Sequence, residues 1–377
     1  MISISELIEK VEKINPNNKE GSWKYIDIAS VDRFQKKIVL DSVSLITTGS
    51  APSRARQVVF ADDIIISTVR PNLNTVAIVP KELDGAIAST GFCVLRPNKE
   101  KVDTKYLFHY IKSDDFVNKL VKLATGANYP AVSDKIIKEQ QLKKISLCEQ
   151  KKIAAILDKA EGIRQKREQA TKLADDFLRT IFLEMFGDPI ENPKGWQRMK
   201  FSEVGTLDRG KSKHRPRNAP ELLGGIHPLI QTGDVANSGG YITEYFSTYS
   251  DIGLAQSKMW KKGTLCITIA ANIAKTGILM FDACFPDSVV GFQPNQHVEA
   301  EFIQHWLGFL QKQLEEAAPE VAQKNINLAI LRDLDVIVPD KALQMKFKGV
   351  VKKVRELKEK YHNYPDIQSV LSSFHLS

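Results

Sequence analysis

The sequence predicts an α+β chain: two mixed α/β domains in pseudo-twofold relation, joined to two long helices that pair as a coiled coil. Three observations predict it. The 377 residues repeat once, each copy ends in the same helical frame, and the first helical stretch is too long to serve one small domain. Residues 60–79 (FADDIIISTVRPNLNTVAIV) and 260–279 (WKKGTLCITIAANIAKTGIL) align without a gap at an offset of 200. Each opens on an aromatic residue, continues into a β-branched run and carries an asparagine at the same place, Asn72 and Asn272. The echo continues with Gly91-Phe92 against Gly291-Phe292, then YLFHY from Tyr106 against FIQHW from Phe302. A duplicated chain of this kind places two similar sites about a pseudo-twofold axis. Only two copies exist, which excludes a solenoid of short repeats.

The helical frame follows each globular stretch. Ile153, Ile156, Ala160, Ile163, Arg167, Ala170, Ala174, Phe177 and Ile181 are spaced by alternating threes and fours. So are Phe347, Val350, Val354, Leu357 and Tyr361, and a shift of 194 lays the first five of one series on the other. A 3-4 seam with charged flanks such as KAEGIRQKREQ is the pattern of helices pairing as a coiled coil. The plainer alternative is a pair of amphipathic helices, each packed on its own domain. Length argues against it: residues 149–186 hold no proline and only Gly162 interrupts them. At ~1.5 Å per residue such a helix exceeds ~50 Å. Pro365 shortens or kinks the second helix.

Composition sets outer limits. A chain of this length forms two domains, each with its own core. No stretch is long and apolar enough to cross a membrane, and the first 17 residues alternate charge with apolar residues, unlike a secretory signal. The four cysteines (Cys93, Cys148, Cys266, Cys284) are scattered without a CxxC pair, as buried thiols of a cytoplasmic protein would be. A net charge of +8 and a pI near 9.1 favour a polyanionic partner.

That charge is concentrated. Residues 208–218 read DRGKSKHRPRN, with Arg209, Lys211, Lys213, Arg215 and Arg217 at almost every second position. Gly210, Pro216 and small polar residues make the segment a loop. Such a loop lays cations along a phosphate backbone, although a solvated loop without a partner has the same composition. The nearest basic loop in the first copy holds Arg54 and Arg56. Arg70, Asn72 and Asn74 lie just past a strand at 64–69, and Asn272 and Lys275 just past one at 265–269. Arg and Asn grip base edges bidentately; asparagine is equally at home in an ordinary turn.

Catalytic signatures are missing. No proline-proline-aromatic tetrapeptide opened by Asn or Asp occurs, as amino methylation would need, and there is no GxSxG, HExxH or phosphate-binding loop. One formal nuclease pattern exists, Pro339-Asp340 followed by Glu356-Leu357-Lys358. It falls in the helical seam, where residues two apart diverge by about 200° instead of sharing a face. His109 and His305 match between the copies inside aromatic clusters, which assigns them to packing.

The residues from Phe182 to Pro189 (FLEMFGDP), followed by NPKGW from Asn192, resemble the junction inside specificity subunits of type I restriction–modification systems. So do the opening of the second domain, with DRGK and then PLIQTGDV from Pro228, and the paired QKKI and NINL segments at the domain ends. The looser counterpart of PLIQTGDV in the first half is YIDIASVD from Tyr25, and NYPAV from Asn128 is a weak copy of the Asn-rich segment. The resemblance implies two target-recognition domains, residues 1–148 and 188–340, and two antiparallel spacer helices, 149–187 and 341–377. It also implies a non-catalytic subunit whose domains each read one half of a bipartite site in double-stranded DNA. Two adenine methyltransferase subunits would dock on the helices and a motor-nuclease restriction subunit would join them. S-adenosylmethionine, magnesium and ATP would belong to those partners, with no cofactor or metal in this chain. The residues expected to touch DNA are Arg54, Arg56, Arg70, Asn72, Lys211, Lys213, Arg215, Arg217, Asn272 and Lys275. The alternatives are a stand-alone methyltransferase or nuclease with diverged motifs, and a helical scaffold that does not read bases.

Overall fold

Residues 1–126, 128–270, 273–317 and 326–362 are described by the computed structural model of the chain. They divide into two compact units, Met1–Arg167 and Glu168–Asn363. In the first unit one four-stranded sheet has β3 (Ser22–Ile26) beside β4 (Ser44–Thr47) on one flank and β8 (Ala86–Ser89) on the other, with β5 (Ala55–Val59) beyond. A second sheet has the order β2 (Ile8–Glu9), β9 (Phe92–Pro97), β6 (Ile64–Ser67), β7 (Val76–Ile78). β1 (Ile2–Ser3) pairs with β10 (Gln141–Leu142) and so joins the start of the domain to its end. Helices α1 (Thr104–Ile111), α2 (Asp114–Leu123) and α3 (Asp134–Glu139) precede α4 (Leu147–Phe186).

The second unit repeats this plan with one strand added at the edge of its second sheet. Its first sheet runs β15 (Ser247–Tyr249), β13 (Leu223–Leu229), β19 (Ala283–Cys284), β16 (Met259–Trp260). Its second runs β12 (Gly205–Arg209), β20 (Val289–Pro294), β17 (Leu265–Thr268), β18 (Thr276–Leu279), β14 (Tyr241–Ile242). In both units the first sheet is antiparallel except at its centre, where β3 runs parallel to β8 and β13 to β19. β11 (Gln197–Lys200) pairs with β21 (Asp335–Val338) as β1 does with β10. Helices α5 (Ala300–Ala317), α6 (Leu328–Asp333) and α7 (Lys341–His362) complete it. Strands β6 and β17 are buried on both faces, which is why each reads as an unbroken apolar run.

The ladders correct two details of the sequence alignment. Ser67 and Thr75 close the β6–β7 turn (N–H to carbonyl, 2.8 Å), and Thr268 and Lys275 close the β17–β18 turn (2.9 Å). The second turn is therefore one residue shorter, and the gapless match at offset 200 fails inside it. Gly91 and Gly291 are not equivalent either: Ser67 pairs with Phe92 but Thr268 pairs with Val289. Gly291 lies within its strand against Trp260 and Phe285, where a Cβ would come within 2.6–2.8 Å of their rings. Gly91 precedes its strand beside Ile28.

The duplicated glutamines explain how each long helix is seated. Gln150 accepts from the Asp103 N–H (2.9 Å) and donates to the Lys101 and Ile145 carbonyls. Gln344 accepts from the Glu299 N–H (2.9 Å) and donates to the His297 and Pro339 carbonyls. Each carboxamide is buried and satisfies three backbone groups that no ladder reaches.

α4 is 40 residues long, about 60 Å at the α-helical rise. Its buried face is one residue round from the seam read in the sequence. Ala154, Leu157, Leu178, Phe182 and Phe186 are buried, whereas Ile156, Ile163 and Phe177 are 45, 42 and 49 % exposed. Phe182 packs among Phe186, Phe302, Phe309 and Phe347 with ring centroids 4.9–5.5 Å apart. Within the second unit the C-terminal part of α4 and α7 run antiparallel, since Phe182 meets Phe347 while Asp175 pairs with Lys358. In α7, Phe347, Val351 and Val354 are buried and Leu357 is exposed; the side chain of Tyr361, and Pro365, lie outside the described residues.

The FLEMFGDP…NPKGW junction is a helix stop. Gly187 takes the left-handed conformation (φ 78°) and donates to the Leu183 carbonyl at 2.8 Å. Lys194 donates to the carbonyls of Glu184 and Met185, and the Trp196 indole to that of Phe186 at 2.8 Å. The last carbonyls of α4 are thus satisfied by residues within the next ten positions. His109 is buried and His305 half-buried, and burial holds both below the usual imidazole range. Three cysteines are buried as expected, but Cys148, on the first turn of α4, is exposed. Among the described residues no helix is long and apolar enough to cross a membrane, and no cluster of His, Cys, Asp and Glu could hold a metal ion.

Candidate nucleic-acid interface

Most of the expected DNA-contact residues collect at corresponding sheet ends. In the first unit β6 ends at Ser67 opposite the start of β9 at Phe92. Thr68 donates to the Gly91 carbonyl, Thr90 to that of Arg54, and Arg70 to that of Pro130. These bonds bring the loops carrying Arg54, Arg70, Asn72 and Tyr129 to one edge. Arg70 and Asn74 are both left-handed (φ 49° and 47°) and bracket the one-turn helix Pro71–Leu73 that exposes Asn72. Non-glycine residues pay for that conformation in strain, which is stored characteristically at functional sites. An amine and a carboxamide support the turn: Lys36 donates to the Asn74 carbonyl, and the Asn74 side chain donates to the Lys112 carbonyl at 2.9 Å. Burial, reinforced by Lys112, pushes the Lys36 amine down to about 8.

The Arg70 guanidinium lies 4.8 Å from the centroid of the Tyr129 ring, and Tyr129 is 69 % exposed. Stacking fixes the plane of the guanidinium fork and leaves its edge donors open. Arg54 is exposed on the same edge. Arg56 stands apart from it: it lies within β5, half-buried, with its guanidinium on the Ala55 carbonyl at 2.7 Å.

In the second unit β12 ends at Arg209 opposite Val290, and β17 ends at Thr268 opposite Val289. The loops following β12 and β17 and the loop preceding β20 therefore meet at one edge. Lys211 and Lys213 are exposed, and the backbone N–H of Lys213 is held by Gln256 at 2.6 Å. Arg215 and Arg217 both reach Asp287, at 3.4 and 2.5 Å. The loop thus offers two open lysines and two arginines shared with one carboxylate. An exposed pair of this kind is worth at most ~1 kcal/mol and exchanges readily for a phosphate. Lys275 is exposed and follows the left-handed Ala274 (φ 58°). Asn272 lies outside the described residues.

The sequence reading passed over Tyr129 and Asp287. Tyr129 stood inside the NYPAV segment, and an exposed aromatic beside a basic turn is the signal for it. Asp287 had none, because its partners lie about 70 residues away.

Comparison with known proteins follows this geometry. Residues 2–172 and 193–356 each match the family model described as the type I restriction modification DNA specificity domain. The chain is 20 % identical over 373 residues to the type I restriction enzyme HindI specificity subunit of Haemophilus influenzae, covering 78 % of this chain and 80 % of that one. It is 24 % identical over 178 residues to the MjaIX specificity subunit of Methanocaldococcus jannaschii, covering 43 % of this chain and only 39 % of that protein. A chain solved in a study of the complex assembly and conformational transition of the type I R-M system is 25 % identical, with a TM-score of 0.53 over 96 % of this chain and 92 % of that one.

Proposed function

The chain belongs to the family of type I restriction–modification DNA specificity domains, and from that premise we propose that it is the sequence-reading subunit of such a complex. Each domain, residues 1–148 and 188–340, reads one half of a bipartite site in double-stranded DNA. The helices at 149–187 and 341–377 pair as an antiparallel coiled coil and set the distance between the halves. The observation that carries this reading is a coincidence: both segments matching the family are the two structural repeats, and each repeat ends its second sheet in a cluster of cations. Phosphate contacts from Arg54, Lys211, Lys213, Arg215, Arg217 and Lys275 position the domains. Arg70, Asn72 and Asn272 read base edges. Arg56 supports the edge from within its strand.

The exposed stripe of Ile156, Ile163 and Phe177 on α4 suits a protein partner. Two adenine methyltransferase subunits dock there, and a motor-nuclease subunit joins them; the methyl donor, magnesium and ATP act on those subunits. Reconstituting the chain with its methyltransferase and mapping methylated adenines tests the reading. One asymmetric bipartite sequence is expected from the complex and no turnover from the purified chain. Methylation without sequence preference, or turnover by the chain alone, overturns it.

A further inference from the structure

The second domain contains a recess of about 220 Å³ beside the basic loop. Leu223, Leu229, Tyr249 and Pro286 form its apolar walls, and Asn218, Gln231, Thr232 and Ser247 supply amides and hydroxyls. Ser212, between the two open lysines, also lines it. Its side chain is 95 % buried in effect, with 5 % exposure remaining, and its Oγ has no hydrogen-bond partner in the protein. A buried hydroxyl left unpaired calls for a polar atom from outside. The loop is held in this pose, since Arg215 donates to the Ser212 carbonyl at 2.6 Å.

The lining selects the chemistry of the ligand. Arg217 is the sole charged side chain among the described residues of the wall, and it is already paired with Asp287 at 2.5 Å. The recess therefore suits a neutral, flat group with hydrogen-bonding edges. Lys211 and Lys213, exposed on either side of Ser212, favour a polyanion over the mouth. A nucleobase on a phosphate backbone meets both conditions. The duplicated fold supplies a control. Gln231 caps the short helix Thr232–Ala236 after β13, and its counterpart Asp27 caps Ile28–Ser30 after β3. In the first domain that place holds a carboxylate committed to the Ile28 N–H at 2.8 Å, and Ile28 packs beside Gly91. The second domain thus carries a longer, neutral carboxamide at the cap where the first carries a short carboxylate, and the Gln231 N–H is held by Asp234 at 2.8 Å.

We propose that this recess is a base-reading pocket of the second domain, with Asn218, Gln231 and Thr232 as specificity-determining residues and Ser212 as the inner hydrogen-bonding group. The inference rests on the DNA-reading function proposed above. It is tested on the complex with the methyltransferase, using Asn218→Ala, Gln231→Ala, Thr232→Val and Ser212→Ala, each checked for an unchanged thermal melt. Asn218→Ala and Gln231→Ala should each relax discrimination at one base pair of a single half-site by roughly 5- to 150-fold. The other half-site and the salt slope of binding should stay as in the wild type, which separates base reading from phosphate contact. 2-Aminopurine at each position of that half-site distinguishes a base read in the stack from one drawn out of it, by the absence or presence of a fluorescence rise. A wild-type complex that is specific, with variants whose methylated sequence is unchanged, overturns the pocket alone. A wild-type complex without sequence preference overturns the underlying function instead.

Discussion

The two domains seat their helices with opposite polarity. In the first, the cations stand on and just past α1 and the acids on α4: Lys105 lies 2.6 Å from Asp158 and Lys112 3.5 Å from Glu161, while His109, held below the usual imidazole range, adds a 2.8 Å hydrogen bond to Asp158. In the second, the acidic residues stand at the start of α5 and the cations on α7. Glu299 pairs with Lys341 (2.8 Å) and Lys348 (2.9 Å), and Glu301 with Lys348 (3.3 Å). The contact was kept after duplication while its sign was reversed. A chain that seated either helix on the wrong domain would set like charges against each other, so the reversal discriminates between two otherwise similar docking faces.

A second pair of equivalent positions differs in kind. Asp63, which is buried, and Arg96, which is partly buried, form an ion pair at 2.8 Å in the first domain. The ladders place Thr264 and Gln293 there in the second, joined by a neutral hydrogen bond of 3.4 Å. Asp63→Ala should show the largest effect of any single change: it removes the carboxylate from the partly buried Arg96 guanidinium and should cost the first domain about 1.5–3 kcal/mol. Thr264→Val should cost the second about 1 kcal/mol. Region-resolved hydrogen exchange reads the two separately, and equal losses would show that the pairs are not distinguished by charge.

Arg70→Ala should relax one base pair of the first half-site by ~1–3 kcal/mol and leave the second half-site alone. Tyr129→Ala should reproduce part of that loss and Tyr129→Phe none of it, as methylation mapping would record; full retention by Tyr129→Ala would remove the stacked pair from the site. In the second domain Asp287→Asn should release Arg215 and Arg217. Binding to nonspecific DNA should tighten, and the slope of log K against log salt should steepen by up to ~2. An unchanged slope would mean that neither arginine reaches a phosphate.

The smallest expected effect is a pH dependence confined to the first domain. Glu161 lies near Lys112 and Arg164; despite burial, these neighbours hold its carboxyl down at about 2. Because the folded value lies below the unfolded one, its stabilising contribution is complete above about pH 4.5 and is lost as pH falls toward 2. Glu161→Gln should flatten that acid limb in denaturation curves of the first domain, while the second domain keeps its own profile.

Much of this was legible in the chain. Duplication, the helical frames and the basic loop are local patterns, and the buried runs of β6 and β17 stand out in composition. The register was not legible, because turn closure at Ser67–Thr75 and Thr268–Lys275 depends on which backbone groups pair across the turn. The buried face was legible only in part: Phe347 and Val354 of the seam are buried and Ile153, Ala174 and Ile181 pack against the cores, but a 3-4 pattern does not show that Leu157, Leu178 and Phe182 beside it are the more deeply buried. The charge reversal between domains and the Asp287 pairing join residues far apart in sequence, where no periodicity exists to betray them.

The stop at the end of α4 has a kinetic consequence. Every group that closes it, Gly187, Lys194 and Trp196, follows within ten residues of the last helical turn. Contacts this local cost little loop entropy and form on the timescale of the helix itself. The Gln344 seat of α7 instead spans 45 residues back to Glu299. During synthesis α4 can therefore be finished and sealed as soon as Trp196 has emerged, before any β-strand of the second domain exists to compete for it.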